Sequence, residues 1–226
     1  MAIIELKRNF GNDPQISKIL TALWDTFSNP GIIYSYIVWL VFLTFYGYLH
    51  FYELVQKRYP KRNEDNLVEE NYYLTLWAWG IAAIFVQHAT LTTGTAVQLH
   101  IIGDHPIILT ILAFILGAWG MYMLINGRVH IDGYWTNHIY KYPDHKVVKT
   151  GLYSQVRHPI YGGQFYITLS IFLAYNNYFV IFLPVLTAIY NIRRAYKEER
   201  ALEKITSGAY SDYKKKCPNF MFHPLG

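Results

Sequence analysis

Four uncharged apolar blocks set the pattern of the chain: Gly31 to about Phe51, Tyr72 to about Ala89, Ile107 to Ile125, and Gly162 to Ile192. A helix of about 20 apolar residues crosses a hydrocarbon core of about 30 Å, so each of the first three blocks predicts one spanning helix. The last block has 31 residues, which as one helix would reach about 46 Å. It therefore predicts two short helices turning at Asn176-Asn177, residue types that accept tight turns, with each helix borrowing flanking residues to reach across. Ahead of the first block, residues 13 to 28 have the period of an amphipathic helix. Asp13 is placed to cap it, Pro14 occupies the first helical position, and Ile16, Ile19, Leu20, Leu23, Trp24 and Phe27 share one face. This helix is expected to lie on the membrane surface or to pack on the rest of the protein. Asn29-Pro30-Gly31 ends it.

Charge decides how the blocks are threaded. Cytoplasmic loops collect Lys and Arg. Five crossings place 17 of the 20 basic residues on one side and leave Lys7, Arg8 and Lys18 on the other, whereas four crossings would divide them 9 and 11. The expected architecture is thus an all-α integral membrane protein with about five transmembrane helices, the last two a short hairpin. An N-terminal amphipathic helix and a cytosolic C-terminal helix complete it. The loop from 126 to 160 and the tail share the cytosolic side. Met1 to Phe10 are too charged for a cleavable signal, so the first spanning helix is expected to direct insertion. No internal repeat or Gly/Ser linker divides residues 1–226, which read as one domain with an amphipathic segment at 1–30 and a polar, ligand-binding half at 126–226.

Composition agrees with the bilayer as solvent. Of the 226 residues 53% are hydrophobic and 15% charged, and the 18% aromatic content suits side chains standing where headgroups meet hydrocarbon. The net charge of +5 comes from basic residues beside apolar runs, with no nucleic-acid signature among them. The single cysteine, Cys217, excludes an intrachain disulfide and a multi-cysteine metal site, and reads as structural. His88, His100, His105, His130 and His138 lack partners at ligand spacing and fall on opposite sides of the expected topology, so no metal is expected.

Chemistry-bearing residues gather in two stretches. Asp144 to Gly163 runs into the fourth block and carries Arg157, His158 and Pro159 at the membrane edge, followed by Gly162 and Gly163, which would admit another backbone or a ligand. An Arg beside an open helix start suits an anion. Arg193-Arg194-Ala195-Tyr196-Lys197-Glu198-Glu199-Arg200 continues the last helix out of the membrane, and a hairpin would return it beside Arg157. A structural ion pair between Arg157 and Glu198 or Glu199 fits the same residues. Adjacent glutamates diverge by about 100° on a helix, so one of the two is expected to face a site.

The order G-L-Y-S-Q-V-R-H-P-I-Y-G-G, then E-E-R-A-L, then G-A-Y-S-D-Y-K-K-K-C-P, spread over residues 126 to 220, resembles the C-terminal half of the isoprenylcysteine carboxyl methyltransferase family. Gly127-Arg128, Trp135 and Asp144-His145 are similar to its prokaryotic members. The resemblance implies a helical membrane enzyme that binds S-adenosylmethionine in a cytosol-facing pocket. Carried over by position, His145, Tyr153, Arg157, His158, Pro159, Tyr161, Gly163, Glu198 and Glu199 would surround this methyl donor, and Arg194 would orient an anionic acceptor. Arg157, Arg194 and Glu199 are the residues expected to matter most for transfer. Tyr210, Tyr213 and Pro218 also match, as packing residues.

Such a reaction needs positioning and dryness more than proton transfer, since an ionised carboxylate or thiolate acceptor requires no strong base. The implied partners are the lipid bilayer and a lipophilic or small methyl acceptor, with no nucleic acid and no metal. Shortness and the His145 pattern favour a bacterial inner membrane over the endoplasmic reticulum. Two rival readings stand. Membrane sterol reductases that use NADPH share an Arg-His-Pro ending, but here Ile160 and Gln164 replace their Asn and acidic residue. A non-catalytic membrane protein that keeps the fold is the other.

Overall fold

A computed structural model describes residues 13–18, 20, 21, 33, 37, 40, 41, 44, 67–69, 101, 107–131, 139, 140, 146–176 and 178–222. Among these the elements run β1 (Leu67–Glu69), α1 (Ile107–Ile131), β2 (Ile139–Tyr140), α2 (Pro159–Tyr175), α3 (Phe182–Ile205) and α4 (Ala209–Lys216), with single 3-10 turns at Gly151–Ser154 and Tyr178–Ile181. The two strands pair antiparallel, Leu67 with Tyr140 and Glu69 with Ile139. Apart from this short ribbon the described elements are helical, as the all-α expectation has it. Elements of two and three residues are too short to impose a period of two on the sequence, so the pattern does not announce them.

Among the described residues one helix, α1, is long and apolar enough to cross a membrane. It was expected to end at Ile125, where uncharged sequence gives way to Arg128. Instead the helix continues to Ile131, and the His130 ring nitrogen Nδ1 lies 2.9 Å from the Asn126 carbonyl one turn back. One side of α1 is apolar and exposed, including Ile108, Ile111, Ile115 and Trp119, and the other is a buried line of small residues and packing side chains. On a helix that crosses a membrane, such a side suits contact with lipid.

The buried line meets α2 at a backbone-to-backbone contact. A Cβ on Gly163 would stand 2.6 Å from the Gly120 carbonyl oxygen and 2.9 Å from the Leu124 nitrogen. Small residues let membrane helices approach this closely. Because the obstructing atoms are backbone, Gly163→Ala forces the helices apart. Overpacking of this kind costs about 1–3 kcal/mol, and we expect a fall of about 5 °C in melting temperature in detergent. An unchanged melting temperature would contradict this contact.

α2 starts on Pro159 at its first turn, as its ring prefers, and stops at Tyr175. Asn176 takes the left-handed conformation (φ 50°, ψ 37°) and its backbone N–H donates to the Leu173 carbonyl. The hairpin therefore turns at the asparagine the sequence marked. α3 extends past the apolar block to Ile205, carrying Arg193 through Glu199 on one continuous helix. The expected spans at 31–51 and 72–89 fall almost wholly outside the described residues. Ile33, Ile37, Leu40 and Val41 are helical and exposed, at spacings that place them on one side.

At the N-terminus Asp13 Oδ1 accepts the Gln15 backbone N–H at 2.8 Å, the expected cap, and residues 14–18 are helical. Ile16 and Leu20 are half-buried while Lys18 is exposed. Ile19, Leu23, Trp24 and Phe27 lie outside the described residues.

After α4 the chain returns as a strap across the start of α2. The Arg157 N–H donates to the Asn219 carbonyl at 3.0 Å and the His158 N–H to the Phe220 carbonyl at 2.9 Å. Gly162 makes room for it, since a Cβ there would stand 2.2 Å from the Met221 carbonyl oxygen. The expectation that Gly162 and Gly163 admit a neighbouring backbone holds for both, the strap at Gly162 and α1 at Gly163.

Candidate functional site

The hairpin brings the end of the Gln155–Pro159 loop against the polar extension of α3. Arg157 Nε donates to Glu199 Oε1 at 2.8 Å, and its Nη1 donates to the carbonyls of Cys217 (2.9 Å) and Pro218 (2.7 Å). The same carboxylate oxygen lies 3.1 Å from His158 Nε2 and accepts from the Tyr210 hydroxyl at 3.2 Å. Lys214 Nζ reaches the other oxygen at 3.0 Å. Glu199 is thus surrounded by donors drawn from the loop and from α4, and its side chain is 3% exposed. Burial acts to raise its pKa. The hydrogen bonds from His158, Arg157 and Lys214 outweigh that and hold the carboxyl well below the usual range.

A second cluster lies beside the first. The Tyr161 hydroxyl donates to Glu198 Oε1 at 2.5 Å and accepts from Arg194 Nε at 2.8 Å. Arg194 Nε is also 3.8 Å from Glu198 Oε1. His158 joins the clusters, its Nδ1 lying 3.8 Å from Glu198 Oε2 and its ring stacking on Tyr161 at 5.6 Å. Glu198 and Glu199 thus both border His158. The two side chains do diverge, but the imidazole stands between them and reaches both. Their environments differ: Glu198 is 28% exposed where Glu199 is 3%.

Phe220 on the strap closes one wall, edge-on to His158 at 5.0 Å, stacked with Tyr196 at 5.0 Å, and 5.3 Å below the Arg157 guanidinium. Beneath the site, Tyr210, Tyr213 and Cys217 form a buried cluster with Val147 and Leu202, and the Tyr213 hydroxyl donates to the Tyr153 carbonyl at 2.6 Å. Burial pushes the Cys217 thiol up, as suits an inert packing residue.

Of the expected site residues, Arg157, His158, Tyr161, Arg194, Glu198 and Glu199 come together. Tyr153 is buried and enters through its backbone carbonyl. Pro159 and Gly163 face α1 instead, near Gly127 and Gly120. His145, like His88, His100, His105 and His138, lies outside the described residues. His130 covers Gly151, which has φ +58° and where a Cβ would stand 2.3 Å from its ring. No group of three or more metal-ligating side chains occurs among the described residues. Lys214, Asn219 and Phe220 were not anticipated. Lys214 sits in a Lys-Lys-Lys run that reads as a topology signal, and nothing in the tail's pattern foretells that it folds back.

The electrostatics make a pH prediction with a definite sign. A carboxyl depressed on folding contributes stability that is complete above its unfolded pKa, about 4.3, and is lost as pH falls toward the folded value. The difference in melting temperature between the parent protein and Glu199→Gln is therefore expected to stay constant above about pH 5 and to shrink below about pH 4. A difference that already shrinks near neutrality would show that Glu199 is not held low.

With this geometry in view, the chain can be set beside known proteins. Residues 107–204, which include α1, α2 and nearly all of α3, match the model of the isoprenylcysteine carboxyl methyltransferase (ICMT) family. A solved structure of the eukaryotic intramembrane Ras methyltransferase ICMT aligns over 90% of this chain and 71% of its own, with a TM-score of 0.59 and 17% identity. A search of curated sequences gives no match. The resemblance read from the sequence holds, and the fold is that of a membrane protein of this kind. Family match and fold together indicate a membrane methyltransferase.

Proposed function

We propose that the protein transfers a methyl group from S-adenosylmethionine to a lipophilic or small acceptor of carboxylate or thiol type, at the cytosolic face of the membrane. The observation that carries this reading is the Arg194–Tyr161–Glu198 cluster, in which Glu198 is partly exposed and Arg194 and Tyr161 are buried, set where α2 and α3 leave the apolar region.

The donor set fits the cofactor. Glu198 would accept from its ammonium or ribose hydroxyls, Tyr161, His158 and Phe220 offer aromatic faces to a cation, and Arg194 presents a planar guanidinium to a carboxylate. Bound there, S-adenosylmethionine supplies a methyl carbon that is displaced from sulfur by an in-line nucleophile. Arg157 and Glu199 have a different task. Their polar atoms are engaged with each other, with His158, Lys214 and the strap, so they hold the loop and tail that shape the pocket and leave Glu198 and Arg194 to touch ligands. His145 keeps its place in the proposal on the resemblance alone. No residue is assigned as a base, because an ionised acceptor brings its own electron pair and the protein's contribution is to align it and exclude water.

The test is to incubate purified protein with methyl-labelled donor and lipid extracts and to follow label into the organic phase. We expect transfer that falls at least tenfold in Arg194→Gln, a residue that would orient a charged acceptor. No transfer above the heat-inactivated control, with NADPH oxidised instead, would replace this reading with a reductase.

A further inference from the structure

Asn191 stands within the apolar length of α3, fully buried, and the site described above makes no use of it. Its Nδ2 donates to the Tyr161 backbone carbonyl of α2 at 3.2 Å. Its Oδ1 is buried as well and meets no hydrogen-bond donor among the described residues. Polar side chains at membrane depth are costly to keep and by default serve a site. The bond does not rescue a stranded acceptor, because a carbonyl in the first turn of α2 already receives the N–H four residues further on. Stability alone gives no reason for the amide either. An apolar side chain in its place would leave no oxygen stranded, and a buried polar contact exchanged for an apolar one can be nearly neutral.

The neighbours of Tyr161 supply the reason, since α3 holds that residue at both ends. Asn191 takes its carbonyl, while Arg194 and Glu198 take its hydroxyl at 2.8 and 2.5 Å. Ala195, fully buried and small, belongs to the same packed cluster as the Tyr161 side chain. Positions 191, 194, 195 and 198 follow the three- and four-residue spacing of one helix face. We infer that Asn191 is a positioning residue for the Arg194–Tyr161–Glu198 cluster. It fixes the first turn of α2 against α3, so that the phenol stands in one place between the guanidinium and the carboxylate. A shift of α2 would disturb both of the residues assigned to meet ligands, through the one hydroxyl that links them. That consequence for ligand binding rests on the methyl-transfer reading of the cluster, whereas the hold on Tyr161 does not.

Two variants, Asn191→Ala and Asn191→Leu, remove the donated bond in opposite ways, one leaving space and the other filling it. In both, deuterium exchange of the peptide covering residues 159–166, followed by mass spectrometry without ligand, should quicken about 5- to 10-fold. Affinity for S-adenosylmethionine, measured by titration, should fall by about the same factor in both. Tyr161→Phe should lower that affinity by itself, and adding Asn191→Ala to it should cost nothing further, because the two residues act as one unit. Parental exchange and affinity in either single variant would overturn the inference, since Asn191 would then serve packing alone. Losses that multiply in the double variant would overturn it too, by showing that Asn191 does not act through Tyr161. A parent protein that bound no methyl donor, with exchange still quickened in both variants, would uphold the hold on Tyr161 and remove the methyl-transfer reading instead.

Discussion

Glu199→Ala is expected to lower the melting temperature of the detergent-solubilised protein by about 10 °C. The reason is asymmetry. A buried ion pair contributes little net stability, but removing one partner strands the other and costs about 3–5 kcal/mol. Here Arg157, Lys214, His158 and Tyr210 all converge on one carboxylate. The loss also frees the loop that Arg157 ties to the carbonyls of Cys217 and Pro218, so the strap should loosen with it. At about 2–4 °C per kcal/mol for a chain of this size, 10 °C lies within the expected span of about 6–20 °C. Thermal scanning checks it, and a fall of less than about 2 °C would mean that Glu199 does not organise this end of the protein.

Its neighbour should behave in the opposite manner. Glu198 is 28% exposed and its two close partners, Tyr161 and Arg194, also hold each other. Glu198→Ala is therefore expected to leave the melting temperature within about 2 °C, the scale of a part-exposed pair. Affinity for the methyl donor should nevertheless fall roughly 10- to 100-fold, the loss of one or two hydrogen bonds to a charged acceptor. Titration and thermal scanning of the two variants side by side separate a residue that builds the pocket from one that meets the ligand. If Glu199→Ala weakened binding without lowering stability, and Glu198→Ala did the reverse, the roles assigned here would be exchanged.

Much of the local structure is legible in the sequence because single residues dictate it. Asp13 caps, Pro159 starts a helix, and Asn176 ends one in a conformation that few other side chains enter. Gly162 and Gly163 announce close approach, though not of what. The convergence of Arg157 with the Glu198-Glu199 pair follows once the long apolar block is folded into a hairpin. What the sequence withholds depends on long-range contact. The strap of Asn219, Phe220 and Met221 pairs with Arg157 and His158 by backbone hydrogen bonds, which any side chains would permit. The diversion of Pro159 and Gly163 to α1 depends on the rotation of α2, set by the Gly120 contact rather than by local pattern. The continuation of α1 through Arg128 to Ile131 shows that a charge ends a hydrophobic block without ending the helix.

The central claim is that this cluster binds a methyl donor, and isothermal titration of the purified protein with S-adenosylmethionine and its demethylated product, with NADPH as the comparison, tests it most directly. Saturable binding of the donor or its product, weakened in Glu198→Ala and absent with NADPH, is the predicted result. Saturable NADPH binding with no response to either methyl-donor compound would contradict the account.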